Sequence, residues 1–247
     1  MRRNALTLTL ASAVLLAAGC ASGDEPEVKA PPLPQGSEPA NLDPADFTSR
    51  IDHPYWPMTP GSRWVYRETD SEGTKQRVEI TVTHDTKPIM GIEATVVHDL
   101  VTENGQRKED TYDWYAQDTL GNVWYLGEDT TEYENGKVSS TEGSWQAGVD
   151  GAEAGIILPA RPAVGMVYRQ EYYAGEAEDA AEVLSLDEQA MVPYGSFDHL
   201  LMTKDYTPLT PELVEHKFYA RGVGPVLAKT VAGGSDREEL VHFDGAP

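Results

Sequence analysis

Two groups of carboxylates are the residues whose types and spacing could do chemistry. Glu128, Asp129, Glu132 and Glu134 lie about one expected hairpin, and Glu171, Glu176, Glu178 and Asp179 lie about another. Two carboxyl groups roughly 5–10 Å apart can cleave a glycosidic bond, one as the acid and the other as base or nucleophile. Glu128 and Glu171 are the candidates for that pair. Oxygen-rich loops can also hold calcium, but the helix-loop-helix calcium loop needs glycine at its sixth position, and counting from Asp129 places Glu134 there. In a chain with 41 acidic and 19 basic residues, such clusters also arise as an ordinary solvated face. The histidines at 53, 84, 98, 199, 216 and 242 lack the close spacing of a zinc site, so no metal is expected. Gly-x-Ser-x-Gly, Ser-x-x-Lys, His-Glu-x-x-His and a phosphate loop are all missing, and neither a catalytic residue nor a cofactor is assigned.

A second kind of chemistry is recognition by aromatic rings. Trp114, Tyr115, Trp124, Tyr125 and Trp145 include three of the five tryptophans within a short stretch. On a strand, Trp114 and Tyr115 point to opposite faces, and so do Trp124 and Tyr125. One reading is a central hairpin covered on both sides, since Trp and Tyr favour strands. The other is an aromatic platform for a sugar, a lipid or another partly apolar ligand.

The elements that must position these residues are strands. Arg77–Thr83 alternates as a half-buried strand does, and 64–67, 95–98, 112–117, 123–126 and 218–220 read likewise, with turn residues between them. The fold class is mostly β. The order of motifs also recurs. Pro60-Gly61-Ser62-Arg63-Trp64-Val65-Tyr66-Arg67 is echoed by Val164-Gly165-Met166-Val167-Tyr168-Arg169, and Pro88-Ile89-Met90-Gly91 by Pro193-Tyr194-Gly195. Trp114-Tyr115-Ala116 followed by Gly121-Asn122-Val123 is echoed by Phe218-Tyr219-Ala220 followed by Gly224-Pro225-Val226. Two repeated antiparallel meanders are therefore expected, over 54–138 and 162–247, forming a β-sandwich or one strongly curved sheet around an apolar layer. Between them, residues 139–161 are Gly-rich yet retain Trp145, Ile156, Ile157 and Leu158, as expected of an ordered cap folded over the sheets.

The N-terminus says where the protein works. Arg2 and Arg3, an apolar run from Ala5 to Ala18 and Leu16-Ala17-Ala18-Gly19-Cys20 read as a lipoprotein signal over 1–19, with Cys20, the only cysteine, as the lipidation site. Residues 20–53, rich in Pro, Ala, Ser, Gly and acids, read as a disordered stalk. Removing the signal takes net charge from −22 to −24, which excludes nucleic acid as a partner. A monomer anchored outside the cell by its lipid is expected.

The segment Asp113–Asp118 through Gly121–Asp129, with Gly143-Ser144-Trp145, 147–151 and Tyr168–Tyr173, resembles a family of secreted bacterial lipoproteins without assigned activity. The resemblance implies a shared fold and an extracytoplasmic setting and carries over no catalytic residue. Anchor plus curved sheet is also similar, in architecture alone, to the LolA and LppX lipid-carrying lipoproteins. The leading expectation is a non-enzymatic, tethered protein binding a lipid or other neutral, partly apolar ligand near Trp114, Trp124 and Trp145. The alternatives are an envelope-polysaccharide enzyme using Glu128 and Glu171, and a structural or partner-docking lipoprotein.

Overall fold

The computed structural model describes residues 32–246, so the signal segment, Cys20 and the start of the expected stalk lie outside the described residues. A 3-10 turn, Pro44–Asp46, is the one helical element among them; everything else regular is strand. After the short β1 (Phe47–Thr48), five strands follow in an up-and-down meander: β2 (Arg63–Thr69), β3 (Lys75–Ile89), β4 (Ile92–Glu103), β5 (Gln106–Asp118) and β6 (Val123–Glu134). Short strands β7 (Lys137–Ser140), β8 (Trp145–Gln146) and β9 (Glu153–Leu158) all pair with β6. Then come β10 (Val167–Arg169) and β11 (Glu171–Tyr172) and a second meander, β12 (Ala180–Val192), β13 (Gly195–Tyr206), β14 (Val214–Ala220), β15 (Gly224–Ala232) and β16 (Arg237–Asp244).

Of the two architectures expected, the curved sheet is the one formed. β16 pairs antiparallel with β2, Leu240 opposite Tyr66, and this joins the two meanders edge to edge, so that among the described residues no second sheet exists to make a sandwich. The strands bearing the echoed motifs occupy the same order in each meander: β2 and β10 open them, and the Trp-Tyr-Ala and Phe-Tyr-Ala strands β5 and β14 come fourth in each path. The sheet curls until its ends meet. Val167–Arg169 pairs with β12 while Glu171–Tyr172 pairs with β9, so a single extended stretch changes partner at Gln170 and nearly closes a barrel. The close approach needs glycine: a Cβ on Gly155 of β9 would overlap the Gln170 carbonyl.

Two expectations change. Residues 32–53 are not stalk but packed chain. Leu33, Ala40, Leu42 and Phe47 lie against the core, the backbone N–H of Arg169 donates to the Pro34 carbonyl, and β1 pairs with β5. Spaced apolar residues and carbonyl acceptors suffice to order a Pro-rich strap when a buried arginine waits for it: Arg169 donates to the Gly36 and Glu38 carbonyls at 2.8 and 2.6 Å and to Ala154 at 2.6 Å. Residues 139–161 do not fold over the sheet as a cap. They extend it, because Ile156 and Leu158 alternate as strand residues and find an unpaired edge on β6.

Candidate functional site

The inward side chains of the barrel change character along its axis. On β2 they run Trp64, Tyr66, Glu68; on β5, read backwards, Tyr115, Asp113, Thr111, Glu109. On β14, also backwards, they run Tyr219, Lys217, Glu215, and on β16 Leu240 and Glu238, with Asp236 just before the strand begins. Antiparallel register lines these up, so one end of the interior is an aromatic floor and the other a carboxylate-lined mouth. The segment 51–58 plugs the floor: Met58 is 1% exposed, and Trp56 packs on Tyr115 and Tyr219 with ring centroids 5.7 and 6.3 Å apart. The indole of Trp64 donates to the Val223 carbonyl and the Tyr66 hydroxyl to that of Pro225, so the buried polar atoms of these floor rings are satisfied.

Of the five aromatic candidates, three meet on the inner wall and two do not. Tyr115 stacks on Tyr125 at 4.9 Å, and Tyr125 meets Trp145 edge to face at 5.3 Å. Trp114 and Trp124 face outward. Lys87 covers the Trp114 ring, its Nζ 3.1 Å from the centroid, while Trp124 touches Phe47 and donates to Asp118. A bulge at Gly127 makes the inner cluster possible. With φ at 129°, Gly127 lets Tyr125 and Glu128, three residues apart, point to the same side, and a Cβ there would strike the Trp145 carbonyl.

Glu128 and Glu171 are brought together by Trp145. Trp145 sits opposite Glu128 in the β6–β8 register, and its indole donates to Glu171 Oε2 at 2.8 Å. Asp113 completes the wall, accepting from the Tyr125 hydroxyl at 2.7 Å. Burial pushes Asp113 up to about 6, against the Tyr125 hydrogen bond. Burial, then the charge of Asp113, pushes Glu128 up to about 7, and burial, then Asp179 and Glu128, pushes Glu171 up to about 8. Of the other acids in the two sequence clusters, Asp129, Glu132, Glu134 and Glu176 are exposed at the surface, while Glu178 and Asp179 line the seam beside Glu171.

Residues not singled out from sequence complete the mouth. Asp99 lies deep, its Oδ1 shut away with no hydrogen-bond partner. Its pKa is raised well above the ordinary carboxylate value by burial, with Asp113 and Glu238 adding to the effect. Burial and the neighbouring Glu68 bring Glu238 to about 8. Lys217 lies 3.3 Å from Asp205 and 3.4 Å from Glu215; burial opposes its charge, but the two carboxylates outweigh it and raise its pKa. The signal for these residues was present in the alternation: Trp64-x-Tyr66-x-Glu68 and Glu215-x-Lys217-x-Tyr219 set charges on the face that buries aromatics. A cleft of about 220 Å³ opens among Glu68, Asp99, Glu215, Lys217 and Glu238, and one of about 340 Å³ opens at the seam beside Arg169, Glu171 and Asp179. Among the described residues no three His, Cys, Asp or Glu groups converge as a metal site requires.

No family model matches the chain, and no curated protein matches it. Among solved structures, a Bacteroides fragilis protein described as exported and as having a YmcC-like fold is similar over 77% of this chain and 99% of its own, at 12% identity and a TM-score of 0.46. A Parabacteroides distasonis protein described as a lipoprotein is similar over 77% and 98%, at 12% identity and a TM-score of 0.42. At this distance neither carries an argument about this chain.

Proposed function

We propose that the chain is an extracytoplasmic binding lipoprotein, anchored through Cys20, that holds a small, partly apolar molecule in the mouth of its barrel. One observation carries the reading: the rings of Tyr115, Tyr125 and Trp145 continue directly into Asp113, Glu128 and Glu171 on the same inner wall. Rings offer an apolar face. Glu128 and Glu171, with pKa values of about 7 and 8, spend much of their time protonated near neutral pH, and a protonated carboxyl both donates and accepts hydrogen bonds. Such a wall suits a ligand with one apolar and one polar side better than a bare hydrocarbon chain.

The adjacency of Glu128 and Glu171 keeps a glycosidase reading in view, and the direction of their pKa shifts weighs against it. Acid–base pairs work when their environments push the two values apart, leaving one group ionised. Here both rise together.

Native mass spectrometry on protein purified from its own host tests the binding reading. The expected result is a bound species that Trp145→Ala and Glu171→Gln release while circular dichroism stays unchanged. A ligand-free mass, with no tryptophan quenching by an envelope lipid extract, would overturn it. Turnover of an envelope polysaccharide abolished by Glu171→Gln would establish the enzyme instead.

A further inference from the structure

On the side of the mouth away from Trp145, we propose that the cleft walled by Glu68, Asp99 and Glu238 binds an aliphatic polyamine. The inference deepens the reading of the barrel mouth as a binding site and rests on it. Glu68 and Glu238 are direct neighbours across the β16–β2 ladder, and Asp99 faces the same space from β4. Among the described residues no Lys, Arg or His forms an ion pair or hydrogen bond with any of the three, whereas Arg237, at the cleft edge, is engaged by Glu239. Asp99 is the independent indication: its side chain lines a cleft large enough for a chain of methylenes, and its Oδ1 is buried with no hydrogen-bond partner.

The cleft's remaining walls fix the class of cation. Val78, Val101 and Ala228 alternate with the acids, so the lining is carboxylate and aliphatic at once. That suits ammonium groups spaced along an alkyl chain and does not suit a divalent ion, which needs its oxygens gathered at one point. The same cleft wall already holds one instance of the chemistry, the alkylammonium of Lys217 resting between Asp205 and Glu215. Burial raises the pKa of Glu68, Asp99 and Glu238, and neighbouring carboxylates raise it further, Asp236 and Glu215 at Glu68, Asp113 and Glu238 at Asp99, and Glu68 and Glu215 at Glu238, a repulsion that a bound ammonium relieves.

Titration calorimetry with spermidine near neutral pH and at physiological salt tests this, with calcium chloride as the competing probe. The expected result is saturable spermidine binding that Asp99→Asn and Glu238→Gln each weaken by at least about tenfold, while Glu134→Gln, on the exposed surface, leaves it unchanged. Circular dichroism identifies a variant that has failed to fold, and the second variant then decides. Absence of binding, tighter binding of calcium, or spermidine binding indifferent to both lumen variants would each overturn the proposal. Loss of the spermidine result with a Trp145-dependent ligand still found by mass spectrometry removes the polyamine alone; loss of both removes the binding reading as well.

Discussion

Glu238 and Glu239 are consecutive residues on one strand with opposite fates. Glu239 faces outward, where burial works against its charge but Arg67 and Arg237, at 2.7 and 2.9 Å, outweigh it and lower its pKa. Glu238 faces inward, carries no ion-pair partner among the described residues and is pushed up to about 8. The same contrast runs along the barrel: outward-facing Glu79 is held by Arg63 and Arg77 and drops to about 2, while inward Asp113, Glu128 and Glu171 all rise. The outer face spends its arginines on its own acids. The inner face is left with carboxyls whose ionisation is offset by few bases and therefore costs stability as pH rises, the usual mark of a surface kept for something other than folding.

Three measurements can break or sharpen that contrast. The largest effect belongs to the floor beneath the acids: Trp64 is fully buried, and Trp64→Ala should cost about 3–5 kcal/mol in urea unfolding. A smaller loss would mean the floor does not carry the fold. Next comes pH. The four raised carboxyls bind more protons folded than unfolded between about pH 4 and about pH 8. Their contribution is complete below about pH 4 and is lost as pH rises through about 6 to 8. The melting temperature should therefore fall by roughly 5–10 °C from about pH 5 to about pH 8, and Glu238→Gln should recover part of it at the upper pH while changing little at the lower. A flat profile would refute the inner-face assignment. Smallest is the mirror experiment, in which Glu239→Gln should lower stability by about 0.5–1 kcal/mol at neutral pH, opposite in sign to its neighbour.

Much of this was legible in the chain. Alternation identified the strands, and echoed motifs such as Gly-x-x-Trp-Val-Tyr-Arg and Gly-Met-Val-Tyr-Arg identified paired meanders, because a strand's period is local and survives without knowledge of partners. Tyr115, Tyr125 and Trp145, and the pairing of Glu128 with Glu171, are legible in the sequence, but the meeting of the rings with the acids is not. That depends on the Gly127 bulge, which re-phases β6 by one residue, and no simple alternation rule anticipates an inserted residue. The strap at 32–53 was misread for a related reason. Its order comes from Arg169, more than a hundred residues away, and composition alone cannot see an acceptor's distant donor. Asp99 was overlooked because an acid in an acidic chain looks like surface until its strand's inward parity is known.

The partner change at Gln170 gives the molecule a hoop that is buckled rather than welded. Elsewhere around the circumference, a change of girth would break a run of ladder rungs; at this point the rungs are few, and a guanidinium reaching from Arg169 to Ala154, with the Pro-rich strap laid across it, does the fastening. Loosening this one clasp would part the seam while leaving the ladders of both meanders whole, and the Pro-rich strap comes to rest at that same seam.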